Sequence, residues 1–261
     1  MWLKQLFSSS LGKKLIMALT GLFLCTFLLV HVSGNLALFK HDEGLAFNKY
    51  AVFMTTFPLI KFVSYGLYFL ILLHAYQGLV LAYNNRKARP VQYGNINASS
   101  SWASRNMAVL GTILLVFLVV HMGDFWRQYK FGHVPYKQYV FNLKEDKIVS
   151  SQDMSVDYTQ ETKMITSYNE AAGTETVIIK DLYAMVADAF TNLWLVILYL
   201  VAMVAVGYHL VHGFMSAFQT LGLNHPKYNG FIKGLGVFVF GIIIPLGFAS
   251  MPLFFYIKSL N

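Results

Sequence analysis

Five long apolar segments, separated by polar stretches, dominate the pattern of this chain. They cover about 13–38, 60–84, 105–128, 183–220 and 231–257. Each is long enough to cross the hydrocarbon core of a bilayer as a helix, which takes about 20 residues. Pro245 and Pro252 predict a kink in the fifth segment. The pattern predicts an all-α membrane protein, a single domain of residues 1–261 with five transmembrane helices in a bundle.

The connection between the third and fourth segments, about 129–182, is long and polar. Its run 174–179 (TETVII) is β-prone, which is compatible with a small hairpin. By its length, the connection is either a functional cap or a mobile loop. Four aromatic residues near its start suit the interfacial belt of a membrane protein: they are Trp126, Tyr129, Tyr136 and Tyr139.

Positive charge is concentrated on one side of the predicted helices. Only 12% of the residues are charged, about half the fraction typical of soluble domains. One side carries nine Lys and Arg residues and no acid, whereas the other carries eleven with all twelve Asp and Glu. Because short basic loops stay in the cytoplasm, we expect the N-terminus inside and the C-terminus outside a bacterial cytoplasmic membrane. The net charge of +8 is then a topological bias, and no nucleic-acid partner is expected.

Four of the apolar segments carry histidines in two patterns, and each pattern occurs twice. The runs 21–31 (GLFLCTFLLVH) and 111–121 (GTILLVFLVVH) each begin with glycine and end with histidine ten residues later. In the other two segments, His74 (HAYQG) and His209 (HLVHG) are each followed by glycine four residues later. The two kinds of helix therefore alternate along the chain.

The depths of these histidines form two levels. At about 1.5 Å per helical residue, His31 and His121 lie roughly 25 Å from the inner surface. By the same count His74 and His209 lie roughly 20 Å from the outer side, in the inner half of the membrane. Each level therefore holds two imidazoles on different helices, able to face one another across the bundle.

Two imidazoles at one level suit haem iron better than other bound groups. Ionisable side chains inside a bilayer are costly and by default functional. A lone histidine could instead bond to a neighbouring helix or relay protons, but four histidines matched in depth and pattern favour a bound group. A zinc site would take three or four ligands at one level or use cysteine, of which the chain has one, Cys25. Two trans imidazoles match axial ligation of haem, and the glycines leave room for a porphyrin edge or a close helix.

His212 competes with His209, because it lies one turn further along nearly the same face. Only His209 has the glycine four residues later that His74 has, so we assign His209 as the ligand. His212 is kept as a candidate haem-propionate partner or alternative ligand. The remaining histidines are expected to be solvated residues of loops and helix ends: they are His41, His133 and His225.

Five motifs occur in order along the chain: SSSLGKKLIMALTGLFL, HVSGN, LHAYQGLVLAY, VVHMGDFW and YHLVHGFMSAFQTLG. Together they resemble the dihaem cytochrome b membrane anchor of succinate:quinone and fumarate:quinone oxidoreductases, the single-subunit five-helix type. The resemblance spans all five helices and leaves out the 130–182 connection. It implies a single membrane-anchor domain, 1–261, whose five-helix bundle encloses two b-type haems.

The resemblance also implies a ligand set and partners. His31 and His121 would bind the outer (distal) haem, and His74 and His209 the inner (proximal) one. A flavoprotein subunit with FAD and an iron–sulfur subunit would dock on the basic cytoplasmic face. Electrons would pass between the iron–sulfur clusters, the haems and a membrane quinone, often menaquinone in the dihaem type. The chain has no dinucleotide fingerprint and no cysteine cluster, so it would not itself oxidise succinate.

The quinone site and the route of protons are less readable. A quinone needs an apolar slot near a haem and a polar group for its carbonyls. Candidates at the outer ends of the helices are Asn35, Asp124 and Arg127, which could equally face water or haem propionates. Some fumarate reductases of the family have a proton-transferring glutamate two residues before the fourth haem histidine. Here that position is Gly207, so a proton path through this residue is not expected.

Two other functions fit part of the pattern. The cytochrome b of a formate dehydrogenase or hydrogenase is also quinone-linked, but the full order of motifs argues against it. A transporter whose histidines relay protons would use the same residues without any haem.

Overall fold

The computed structural model describes residues 9–88, 101–144, 147–154 and 162–261. Its helices, in chain order, are α1 (Ser10–Phe39), α2 (Leu45–Thr56), α3 (Pro58–Ala88), α4 (Trp102–Phe131), α5 (Leu182–Ala189), α6 (Leu193–Thr220) and α7 (Pro226–Ser259). All except α2 and α5 are long and apolar enough to cross a membrane. The prediction of a mostly helical protein with five helices long and apolar enough to span a membrane is therefore confirmed. Two of the nine basic residues predicted for the inner side, Lys4 and Arg89, lie outside the described residues.

The predicted fourth segment, 183–220, is divided in two. The short helix α5 ends at Ala189, and α6 begins at Leu193. Between them, the side-chain oxygen of Asn192 accepts a hydrogen bond from the backbone N–H of Trp194 at 3.0 Å, as a helix N-cap does. Hydropathy alone could not locate this break, because apolar residues lie on both sides of it.

The helix α7 departs from regular α-helical geometry before its first proline. Residues Gly236–Ile243 form a π-helical stretch, and Pro245 follows it closely. Proline has no N–H to donate to the carbonyl four residues earlier, so a widened turn at this point is physically reasonable. Pro252, in contrast, lies inside the regular α-helical part of α7. Of the two prolines, Pro245 is therefore the one that lies next to the irregular stretch of α7.

The polar connection forms an antiparallel sheet of four strands, more than the small hairpin suggested by its sequence. The strands are β1 (Tyr136–Asn142), β2 (Lys147–Met154), β3 (Met164–Asn169) and β4 (Thr174–Lys180). Their order in the sheet is β2-β1-β4-β3. The β-prone run at 174–179 lies within β4, which pairs on both sides and is thus a central strand.

The chain divides into two compact units. The first contains the described residues of Met1–Val32, Val63–Leu118 and Ile197–Ser250. The second contains those of Ser33–Phe62, Val119–Val196 and Met251–Asn261, and so includes the sheet, α2 and α5.

Three aromatic residues assigned to the interfacial belt are core residues of the second unit instead, and Tyr129, 6% exposed, packs with Ala51 and Val134. Tyr136 and Tyr139 lie on β1 and are 3% and 0% exposed. Tyr139 packs in one cluster with apolar residues of α2 and β4, and its hydroxyl donates to the backbone carbonyl of Glu43 at 2.9 Å. The belt prediction is therefore wrong for these three tyrosines, because they are buried in the core of the second unit.

Asn48 links α2 to the start of α5 inside the second unit. The side chain is fully buried, and its Nδ2 donates to Oδ1 of Asp181 at 2.8 Å. Its Oδ1 accepts from the backbone N–H of Tyr183 at 2.9 Å. Asp181 Oδ1 also accepts from the N–H of Ala184 and so caps α5. The amide of Asn48 therefore forms hydrogen bonds with both the carboxylate of Asp181 and the N–H of Tyr183, at the start of α5.

Lys163 lies among other cations of the second unit. Its Nζ donates to the backbone carbonyl of Thr55 at 3.1 Å. Burial, followed by the positive charges of Lys130, Lys61 and Lys180, lowers the pKa of Lys163 to about 8. Because the folded chain binds this proton less tightly than the unfolded chain, stability gains from deprotonation as pH rises from about 8 towards the ordinary pKa of 10.5.

We expect an amine-specific reagent to label Lys163 with a midpoint near pH 8, since only the neutral amine reacts. Mass spectrometry of the labelled peptide at a series of pH values measures that midpoint. Among the neighbouring cations, Lys130 lowers the pKa of Lys163 most, so the substitution Lys130→Gln should move the midpoint upwards. A midpoint that stays in place in Lys130→Gln would show that neighbouring charge does not set this pKa.

Candidate functional site

The first unit brings together the two histidines predicted for the inner level. His74 on α3 and His209 on α6 have ring centroids 6.3 Å apart, and their planes are inclined by 69°. Both rings lie within helices that are apolar on either side of the histidine. His212, three residues beyond His209, is half-buried. The contact with His74 supports the choice of His209 as its partner.

The glycines ten residues before the outer histidines face these inner histidines. A Cβ placed on Gly21 of α1 would lie 3.4 Å from Cε1 of His74. A Cβ placed on Gly111 of α4 would lie 3.8 Å from Cε1 of His209. A longer side chain at either position would crowd the ring, so the glycines keep space beside both imidazoles. In both copies of the repeat, the glycine of the first pattern therefore lies beside the histidine of the second pattern: Gly21 beside His74, and Gly111 beside His209.

The two imidazoles differ in the partner of Nδ1. Nδ1 of His74 lies 2.9 Å from the hydroxyl oxygen of Thr20 on α1. Nδ1 of His209 is buried and has no hydrogen-bond partner within the part of the chain that the structure describes. The sequence pattern does not predict the contact between Thr20 and His74, so Thr20 is a candidate site residue that sequence reasoning missed. The only signal was its place directly before Gly21.

The spacing of this pair is compatible with two imidazoles that bind one metal ion. Metal–imidazole bonds are about 2 Å long, so two rings on one ion have centroids roughly 6 Å apart. The 6.3 Å between His74 and His209 agrees with that spacing. Among the described residues there is no group of three or more His, Cys, Asp or Glu side chains that could hold a metal. The assignment of this pair to haem iron, which takes two protein ligands, stays a prediction.

Gln77 is a second residue that the sequence analysis missed. It lies one helical turn beyond His74 on α3 and is only 3% exposed. Its amide nitrogen has no hydrogen-bond partner among the described residues. A buried amide donor without an acceptor is rare, because it loses its bond to water on folding. Gln77 is therefore suited to donate to a carboxylate or carbonyl of a bound molecule.

The predicted outer ligands have aromatic surroundings. His31 on α1 stacks on Phe27, with ring centroids 5.2 Å apart, and lies 5.4 Å from the ring of Phe248. His121 on α4 lies edge-on to Phe125 at 5.6 Å. His31 belongs to the first unit and His121 to the second. Their assignment as a pair stays a prediction.

The candidate quinone residues all belong to the second unit. Asn35 ends the α-helical part of α1, before its final turn of 3₁₀ helix. Asp124 and Arg127 lie on a π-helical turn, Met122–Arg127, within α4. Arg127 is exposed, whereas Asn35 and Asp124 are half-buried. π-helical turns are frequent at functional sites, and the quinone assignment stays a prediction.

Gly207 on α6 lies against the irregular part of α7. A Cβ placed on Gly207 would lie 3.0 Å from the backbone oxygen of Gly241 and 3.5 Å from Cγ of Pro245. That oxygen belongs to the carbonyl four residues before Pro245, which the proline cannot bond. A side chain at this position would crowd the backbone of α7, in agreement with the glycine in the sequence.

The three histidines expected in loops and at helix ends are exposed, as predicted: they are His41, His133 and His225. His225 caps α7, where its Nδ1 accepts from the backbone N–H of Lys227 at 3.2 Å.

Comparison of the chain with protein-family models, with curated proteins and with solved structures found no match.

Proposed function

We propose that this chain is a membrane cytochrome b whose inner haem is held by His74 and His209. The observation that carries the proposal is the pair itself, two imidazoles on different membrane-spanning helices with centroids 6.3 Å apart. Gly21 and Gly111 support it, because each leaves space beside one of the rings. Because two histidines would hold the iron, a haem at this site would be suited to carry electrons and not to bind oxygen.

The residues around this pair have distinct tasks in the proposed site. His74 and His209 would bind the iron through ring nitrogens, and Thr20 would hold the ring of His74 through the contact with its Nδ1. Gln77 offers a donor one turn away on α3. The apolar helices exclude water from the rings, which keeps the surroundings of low polarity. A bound haem supplies a one-electron couple at this level of the membrane.

The wider role follows from the sequence resemblance. The chain would anchor a flavoprotein and an iron–sulfur protein to the cytoplasmic face of a bacterial membrane, as the electron-transfer subunit of succinate dehydrogenase or fumarate reductase. A second haem on His31 and His121 and a membrane quinone complete this proposal. Nine basic and no acidic residues on the inner side support both the orientation and a docking face for acidic partner surfaces.

A spectrum of the purified full-length chain tests the proposal. After expression in a haem-producing host, dithionite-reduced minus oxidised spectra should show the α-band of b-type haem, and haem analysis should give two haems per chain. A chain that is folded and lacks the band is not a cytochrome, and a proton-relaying transporter then becomes the better interpretation. A tagged chain in its native host should co-purify a flavin-containing protein and an iron–sulfur protein.

A further inference from the structure

The inner pair is asymmetric, and the asymmetry follows the sequence repeat. In the first copy of the glycine pattern, the residue before the glycine is Thr20, whose hydroxyl lies 2.9 Å from Nδ1 of His74. In the second copy, the equivalent residue is Leu110, which is buried and has no polar side-chain atom. Nδ1 of the facing histidine, His209, has no hydrogen-bond partner among the residues described.

The direction of the hydrogen bond between Thr20 and His74 follows from the other contacts of the hydroxyl. Thr20 Oγ1 lies 2.7 Å from the backbone carbonyl of Ile16 and 3.3 Å from that of Met17. A carbonyl accepts only, so both short contacts of the hydroxyl are hydrogen bonds when its single proton is directed to Ile16. The oxygen is then the acceptor towards His74, and Nδ1 of His74 carries the proton. Nε2 of His74 is left with its lone pair.

We propose that Thr20 is the positioning residue of the inner haem, because it fixes both the tautomer and the orientation of His74. The inference rests on the proposed function. A histidine that donates its second N–H is held in one orientation and becomes a more basic metal ligand. His74 is therefore the stronger axial ligand of the pair, and His209 the weaker. The stronger donor stabilises the oxidised iron and lowers the reduction potential of this haem.

Three substitutions in the full-length, haem-loaded chain test the inference. Thr20→Val removes the hydroxyl and keeps the shape, Thr20→Ser keeps the hydroxyl, and Leu110→Val is the matched change at the repeat-equivalent position. The readouts are the reduction potential of the inner haem and the rate at which excess apomyoglobin captures it. Thr20→Val should raise the potential and speed the loss of inner haem by on the order of tenfold. Thr20→Ser should restore both values, and Leu110→Val should change neither appreciably.

The outer haem serves as the internal standard of folding in these variants. If Thr20→Val loses both haems, Thr20→Ala offers a smaller side chain for the same test. If the wild-type chain holds two haems and Thr20→Val behaves as Leu110→Val does, the inference fails while the proposed function stands. If the wild-type chain binds no haem, both fail together.

Discussion

Replacement of His74 by alanine should remove one haem and leave the other. Haem content should fall from two to one per chain, and the reduced α-band should fall to about half, because the remaining imidazole alone holds the iron too weakly. His209→Ala should give the same spectrum, since the two rings face each other at 6.3 Å. Pyridine haemochrome analysis of the purified variants measures the loss, and a redox titration shows which component disappears.

His212→Ala is the matched control for this pair, because it removes an imidazole from the same helix three residues away. It should retain both haems and change at most the potential of the inner one. Retention of both haems by His74→Ala would refute the pairing. Loss of a haem in His212→Ala, with retention in His209→Ala, would move the ligand by one turn of α6.

Replacement of Asn48 by leucine should destabilise the second unit by about 3 kcal/mol. The substitution leaves the buried carboxylate of Asp181 with one hydrogen bond fewer and the N–H of Tyr183 without its acceptor. An unsatisfied buried group costs about 1–3 kcal/mol, and more when it is charged. Thermal unfolding of the detergent-solubilised chain should show a Tm lower by roughly 6–12 °C.

The control is Lys49→Gln, a substitution at the exposed residue next to Asn48. It should change the free energy of unfolding by less than about 1 kcal/mol. A double substitution, Asn48→Leu with Asp181→Ala, should cost less than the sum of the single ones, because the two side chains form one network. Equal effects of Asn48→Leu and Lys49→Gln would mean that the amide does not hold α2 to the start of α5.

Much of the helical architecture could be predicted because it depends on hydropathy, which is a local property of the sequence. The contact between His74 and His209 was also anticipated, since depth along a helix is a count of residues. The contact between Thr20 and His74 was not, because it depends on how α1 is rotated about its axis. α1 is apolar around much of its circumference, so its pattern does not specify which face meets α3.

The sheet of the second unit shows the same limit. The run in β4 is rich in β-branched residues and was predicted to be extended. Its pairing with β1 on one side and β3 on the other joins residues far apart in the sequence. That pairing encloses Tyr139, which looks from the sequence like an interfacial tyrosine. Register and partner choice come from packing against α2, which no local pattern encodes.

The contact of Gly207 with α7 has a consequence for the energetics of electron transfer. In the proposed function, an electron moves between two levels of the membrane, and at this point of α6 no side chain is present to move a proton with it. An uncompensated charge that crosses the membrane exchanges about 2.3 kcal/mol with each 100 mV of potential. If no other group of the chain carries a compensating proton, electron transfer would respond to membrane voltage, and its direction would decide whether the voltage drives the reaction or opposes it.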